Sequence, residues 1–374
     1  MHVLMLHNRY RAEGGEERAV ANIVALLTGH GHSVEVLERS SAGISRTHAA
    51  RGLLAGGLQA DEVAEAVHRT RAEIVHGHNL HPLFGWRALA AARAAGARTV
   101  LHLHNFRLFC AIAVSYRDGA PCFRCRGSNT LPGLRLRCRG SLGEAAVYAA
   151  GLHRQQPQLY ANADRFIVLS GATGARMHEL GLPAERTRVL GNFVPGSGYA
   201  SATRAHEGTY ALAIGRLVAE KGFDIAIAAA RAASVPLVIA GEGPDEQRLR
   251  ELAVGAAVRF TGWVDHGRLS DLRAGAGVVL VPSRCEEACP YAALDSLAAG
   301  VPVLVSDRGG IPERVPADSV IPVEDRRAWT IALAQVWRDE GLRRHRGEEA
   351  LALARELLSE ERYYQDLMAA YGEA

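Results

Sequence analysis

Two acidic residues eight positions apart, Glu287 and Asp295, lie in the stretch 282–302, PSRCEEACPYAALDSLAAGVP, and their setting is what gives them chemical use. The apolar run 278–281 before them reads as a buried strand. The Ala- and Leu-rich run 288–299, with Pro290 in its first turn and Gly300 just past its end, reads as a helix. Glu287 then falls in the loop at the strand's carboxyl end, and Asp295 about two turns into the helix. An ionised carboxylate accepts hydrogen bonds and a sugar or ribose hydroxyl donates them, so both suit a polyol. Acids also gather at helix starts for purely structural reasons.

Upstream, 215–222 reads GRLVAEKG directly after a strand-like run. Arg216 offers a planar fork and Lys221 a point charge. Gly215 and Gly222 allow close backbone approach, and the following helix favours anions, so the two cations can clamp a diphosphate. In an ordinary surface turn the same two cations would simply be solvated. Gly241 and Gly243 in GEGP, and GGIPE at 309–313, are two further glycine turns after strands. Three such turns and one acidic loop on a single sheet edge point to a ligand site.

The first half carries its own candidates. His7-Asn8-Arg9-Tyr10, then Gly14 and Gly15, reads as a strand end, a glycine loop whose amides can face a phosphate, and a helix start. His76, His78, Asn79 and His81 end one strand; His102, His104 and Asn105 end another. Strand-end histidines invite a metal reading, but alternate residues share a face and can serve different partners. Cys122 and Cys125 form a CxxC pair that Cys110 and Cys138 can complete into a four-thiolate zinc shell; free or disulfide-paired thiols are the other reading. Arg124, Arg126, Arg135, Arg137 and Arg139 crowd the same segment. They can meet an anionic acceptor or membrane surface, or form a solvated basic loop.

The elements that must position these residues follow from the patterning. The 374 residues suffice for two domains, and 48% hydrophobic with 22% charged residues is ordinary for a globular protein. A net charge of +3 gives no case for nucleic acid. The strand-like start, the absence of an apolar run of about 18–20 residues and six cysteines with no secretory signal lead to the expectation of a cytoplasmic protein, peripheral at most to the membrane's inner face. Short strand patterns at 3–6, 33–37, 74–76, 99–103 and 165–169 alternate with helical ones at 61–70, 84–95 and 142–163. A second series has strands at 210–214, 237–240, 258–260, 278–281 and 303–305, with helices at 222–232, 244–254 and 288–299. The tail is helical over 326–338 and 343–371. The expectation is an α/β chain of two doubly wound units: residues 1–193 with a Cys/Arg-rich insertion at 105–140, a linker at 194–208, a second domain at 209–340, and a tail at 341–374 that packs back on the first domain.

GRLVAEKG, GEGPD, FTGWV and PSRCEEACPYAALDSLAAGVPV, in this order, resemble the donor half of family 4 retaining glycosyltransferases, the GT-B enzymes whose two Rossmann-like domains face across a cleft. HNRYR…GGEE, HNLHPL, LHNFRLFC and DGAPCFRC resemble the first half of a bacterial subgroup of the same family. The resemblance implies a nucleoside-diphosphate sugar donor, UDP-sugar favoured over GDP-sugar, and a hydroxyl-bearing acceptor. It implies that Arg216 and Lys221 hold the diphosphate, Glu287 with the backbone of Ala288, Cys289, Pro290 and Tyr291 the sugar, and Asp295 the ribose. Gly14, Gly15, Gly215, Gly241 and Gly243 line the donor, and Trp263 and Val264 meet the base or simply pack at a strand end. His104 lies near the sugar's reacting end, while His78, Asn79, Asn105 and Arg107 face the acceptor. The family usually has Glu where this chain has Asp295. No cofactor is expected for catalysis, a structural zinc on the four cysteines aside. The alternatives are a nucleotide-sugar epimerase or hydrolase on the same fold, and a non-catalytic module that binds a nucleotide sugar or an anionic surface.

Overall fold

The computed structural model describes residues 1–10 and 14–372. The chain divides into two compact units: residues 1–115, 122–191 and the chain from Tyr363 form the first, and 116–121 with 192–362 the second.

The first unit is built on β1 (His2–Arg9), β2 (Ser33–Ser40), β3 (Ile74–Gly77), β4 (Arg98–Leu103), β7 (Arg165–Val168) and β8 (Thr187–Val189). They form one parallel sheet in the order β2-β1-β3-β4-β7-β8. Between β4 and β7 lies the short antiparallel hairpin of β5 (Tyr116–Arg117) and β6 (Ala120–Pro121), which belongs to the second unit. The inner strands β1, β3, β4 and β7 are buried almost along their length because helices cover both sides, whereas the edge strand β2 alternates between half-buried and exposed residues. Leu4, Leu6, Val75, Leu101 and Phe166 bury into one core with Phe84, Phe106 and Phe109. The helices are α1 (Gly15–Gly29), α2 (Arg46–Ala55), α3 (Ala60–Thr70), α4 (Gly85–Ala94), α5 (Leu131–Arg135), α6 (Leu142–Asn162) and α7 (Gly171–Glu179). α2, α5, α7 and β8, and the hairpin strands β5 and β6, are absent from the sequence expectation.

In the second unit β9 (Tyr210–Ile214), β10 (Leu237–Ala240), β11 (Val258–Phe260), β12 (Ala276–Val281), β13 (Val303–Ser306) and β14 (Val320–Ile321) form a parallel sheet in the order β11-β10-β9-β12-β13-β14. Counted within the unit this is the 3-2-1-4-5-6 order of a dinucleotide-binding sheet. Its direction of winding reverses between β9 and β12, and ligands bind such sheets outside the carboxyl ends of the strands at that reversal. The helices are α8 (Phe223–Ala233), α9 (Glu246–Ala253), α10 (His266–Ala274), α11 (Tyr291–Ala298), α12 (Arg326–Arg338), α13 (Glu340–Leu357) and α14 (Glu360–Gly372), whose residues from Tyr363 join the first unit. α10 was not expected. The tail is two helices, α13 and α14, where a single run at 343–371 was read. Pro290 sits at the N-cap of α11 with φ −76°, one position ahead of the helix, and not in its first turn. The segment expected as a linker packs on this unit: Thr203 Oγ1 donates to Gly300 O (2.6 Å) and Ala205 O accepts from Arg343 Nε (3.2 Å).

Candidate active site

The loop after β9 carries Arg216 and Lys221, and the loop after the adjacent β12 carries Glu287, so the two motifs flank the winding reversal. The loops are pinned to each other: Arg284 N donates to Glu220 O (2.8 Å), and Gly310 N to Glu287 O (2.7 Å). Glycine is required at the crossings. A Cβ on Gly309 (φ +68°) would stand 2.2 Å from Glu287 O, and one on Gly222 (φ +70°) 2.0 Å from Pro282 O. Gly243 and Gly241 seat likewise on Leu217 O and Gly215 O at 2.2 and 2.0 Å. The turns read separately in the sequence are one packed floor.

On that floor Lys221 Nζ pairs with Glu287 Oε1, and Ser283 Oγ donates to the same oxygen at 2.9 Å. Burial works against the Lys221 ammonium, but the Glu287 carboxylate outweighs it and raises the lysine pKa, so the charge stays on. Arg216 is 64% exposed, its guanidinium 3.5 Å from Glu220. Ala288 and Cys289 are buried, and Cys289 O accepts from Asn192 Nδ2 at 2.9 Å. Pro290, the N-cap of α11, has no side chain that can cap the helix, which begins with Tyr291 and sets its positive end beside the acidic loop. Trp263 is 69% exposed with its amide donating to Glu242 Oε1 (3.1 Å), and Val264 follows it half-buried. The indole is therefore not a packed strand end and is free to stack on a flat ligand.

Asp295 is not at the surface of this site. It is buried, and its Oδ2 accepts from Arg273 Nη2 at 2.8 Å, both side chains being almost wholly enclosed. Arg273 was missed because α10 reads as a polar stretch. Nothing local tells that its arginine turns inward to a carboxylate 22 residues on.

In the first unit the winding reverses between β1 and β3, and the pocket lies there, lined among others by Tyr10, Glu16, His78, His104, Asn105 and Arg107. Gly14 N-caps α1, and its amide, with that of Tyr10, is taken by the Glu17 carboxylate (2.9 and 3.1 Å). Gly15 opens the helix. Arg11, within the HNRYR motif, lies outside the described residues. Asn79 is spent on backbone, donating to Asn8 O (2.7 Å) and accepting from His81 N (3.2 Å). Asn105 caps a turn through Arg107 N (2.9 Å) and donates to Tyr10 OH (3.1 Å). His104 Nε2 lies 2.9 Å from His78 Nδ1.

Glu16 is the residue that sequence reasoning passed over. It lies in the first turn of α1, yet it is buried beside His7 Nε2 (3.6 Å) and under Asn105 Nδ2 (3.5 Å). Burial alone would raise its pKa; His7, His104 and Tyr10 more than compensate and hold it below the usual carboxylate value. Burial in turn lowers the His104 pKa, so that imidazole is neutral near pH 7 and able to donate or accept at the pocket.

The four cysteines Cys110, Cys122, Cys125 and Cys138 are half-buried and not joined in disulfides. The other three surround Cys125 closely enough that, after burial, they help push its thiol up to about 11. Among the described residues, however, the group of three or more potential metal ligands whose atoms lie within 4.8 Å of one another is His76, His78 and His102, not the thiols.

Two family models match, one over each half: Glycosyltransferase Family 4 over residues 13–195 and Glycosyl transferases group 1 over 200–352. With the two sheets described above, they give this chain the GT-B architecture. A GDP-mannose-dependent α-(1-6)-phosphatidylinositol dimannoside mannosyltransferase of Mycobacterium tuberculosis is 41% identical over 111 residues, which are 28% of this chain and 29% of that protein. The chain thus spans less than a third of that relative's length. A glycogen synthase of the same species is 29% identical over 349 residues, 84% of this chain and 80% of the relative. Among solved structures, Anabaena HepE in complex with UDP superposes with a TM-score of 0.70 at 17% identity, covering 100% of both chains.

Proposed function

We propose that this protein is a retaining glycosyltransferase that moves a sugar from a nucleoside-diphosphate sugar to an acceptor hydroxyl. The observation that carries it is the Lys221–Glu287 pair on a glycine-packed floor at the winding reversal, with Arg216 exposed beside it. As the donor arrives, Lys221 and Arg216 turn to the diphosphate. Their fixed charges, with the N-terminus of α11, stabilise the negative charge that grows on the leaving diphosphate while the sugar becomes oxocarbenium-like. Glu287, released from Lys221, accepts from sugar hydroxyls, and Trp263 stacks on the base. Two cations in place leave no step that requires a divalent ion. His104, Asn105 and Arg107 supply the donors and acceptors that a hydroxylated ligand needs at the pocket of the first unit.

HepE's complex with UDP and the mannosyltransferase's dependence on GDP-mannose both support a nucleoside-diphosphate donor; UDP is our first choice of base. Among the described residues no helix is long and apolar enough to cross a membrane. Leu131 and Leu142, both exposed, flank Arg135, Arg137 and Arg139, a combination suited to a lipid-linked or anionic acceptor. The test is nucleoside-diphosphate release from a donor panel with and without hydroxylated acceptors. Acceptor-dependent release with the anomeric configuration kept is expected. Donor turnover that ignores every acceptor would mean an epimerase or hydrolase, and no turnover at all a binding module.

A further inference from the structure

We infer that His76, His78 and His102 form a binding site for a divalent transition-metal ion of the zinc class. The sheet builds the site. β3 and β4 run parallel with His76 opposite Val100 and Gly77 opposite Leu101, so the next step brings His78 beside His102. Alternation along each strand puts His76 on the same face as His78. The three rings lie together, with centroids 4.4 Å (His76–His78), 5.2 Å (His78–His102) and 5.4 Å (His76–His102) apart, and one nitrogen of each falls within 4.8 Å of the others.

Their hydrogen bonding singles them out from ordinary core histidines. The residues are 0%, 3% and 1% exposed. His76 Nδ1 is held by Tyr371 OH at 2.7 Å and His78 Nδ1 by His104 Nε2 at 2.9 Å. That leaves Nε2 of His76, Nε2 of His78 and both nitrogens of His102 buried with no hydrogen-bond partner. An unsatisfied buried polar group costs about 1–3 kcal/mol, so four in one place need a reason. A metal ion is one: it takes the lone pairs of neutral imidazoles. Outer nitrogens held by a hydroxyl and a second ring match the outer hydrogen bonds that orient metal-bound histidines. The rings are stacked, with interplanar angles of 28° (His76–His78), 30° (His78–His102) and 2° (His76–His102), so bonds of about 2.0–2.1 Å require the rings to turn until their in-plane lone pairs converge, as well as to draw closer together. An all-nitrogen donor set selects zinc, cobalt, nickel or copper over magnesium or calcium. His78 and His102 also line the pocket of the first unit, which gives the ion a way in and a fourth position for water. Through His76 and Tyr371 a bound ion would fasten the C-terminal helix to β3.

The test uses the full chain stripped of metal with a chelator, then titrated with Zn2+ or Co2+. A rise in Tm with Zn2+ is expected, with visible Co2+ absorption that lacks a thiolate charge-transfer band. His102→Leu, which removes two unsatisfied nitrogens from the core, should fold with an unchanged or higher metal-free Tm and lose the metal response. His102→Asn should lose it too, and either variant suffices. Tyr371→Phe should weaken the metal by roughly 10–100-fold, as loss of an outer hydrogen bond does. Replacing Cys110, Cys122, Cys125 and Cys138 together by Ser should leave the response intact. A response that survives His102→Leu, one lost with the cysteines, or no response in the unaltered protein overturns the inference.

Discussion

Lys221→Ala is the substitution whose consequences can be worked furthest. In the free protein Lys221 and Glu287 neutralise each other, with Ser283 Oγ donating to the shared carboxylate oxygen at 2.9 Å. Removing the ammonium deletes one preorganised contact to the leaving diphosphate, about 10²–10³-fold in kcat or ~2.7–4 kcal/mol. It also leaves the Glu287 carboxylate facing the donor's phosphates uncompensated. Two like charges roughly 5 Å apart at an effective dielectric of about 20 repel by ~3 kcal/mol, enough to raise KM for the donor by about two powers of ten. Glu287→Gln removes the second effect only, at the cost of its own sugar contact. The double variant should therefore bind donor better than Lys221→Ala alone while its kcat stays at least as low. Independent roles would instead multiply, to about 10⁴-fold or worse, since only sites that share no partner add. Steady-state kinetics over donor concentration for the two single variants and the double variant decide it. Wild-type activity in Lys221→Ala, or a double variant with a KM no better than that of Lys221→Ala, refutes the reasoning.

Asp295→Asn breaks the enclosed pair with Arg273 and should lower stability by about 3–5 kcal/mol in denaturant melts; unchanged stability would mean the pair does not persist in solution. Glu287→Gln should act mainly on kcat, and a loss confined to KM would show that carboxylate misassigned. Gly309→Ala must move the acidic loop, since its Cβ would meet Glu287 O at 2.2 Å, so turnover should fall at least tenfold, and unimpaired kinetics would contradict the packed floor. Burial lowers His76 and His81 to about 3, so both are neutral in the fold while the unfolded chain takes up their protons below about pH 6.5. The unfolded state then binds more protons, and metal-free stability should fall from about pH 6.5 down towards pH 3; a flat profile over that window would mean the imidazoles are not buried.

Much of this site was legible because glycine turns are local signals. Gly222 and Gly309 show in the sequence as turns directly after strands, which fixes their side of the sheet, although the atoms that exclude a Cβ there, Pro282 O and Glu287 O, are remote in the chain. Strand order was legible only as alternation: nothing in the sequence placed β9 next to β12, which is what sets Lys221 against Glu287. α10 escaped because HGRLSDLRA has no clear apolar face, and β8 and β14 because three and two residues give no period to read. Glu16 and Arg273 look like ordinary surface charges until the fold supplies His7 and Asp295. The histidine trio depends on the β3–β4 register, which alternation within either strand does not contain.

The most direct test of the central claim is the thermal shift of the unaltered protein and of Lys221→Ala against UDP, GDP and their sugars. A ligand that binds the folded donor site at about 100 times its Kd adds ~2.7 kcal/mol of stability, so at least one nucleoside diphosphate should raise Tm by several degrees, and Lys221→Ala should lose most of that rise. No shift with any member of the panel, or a shift that Lys221→Ala leaves untouched, would contradict a nucleotide-sugar site on the loops after β9 and β12.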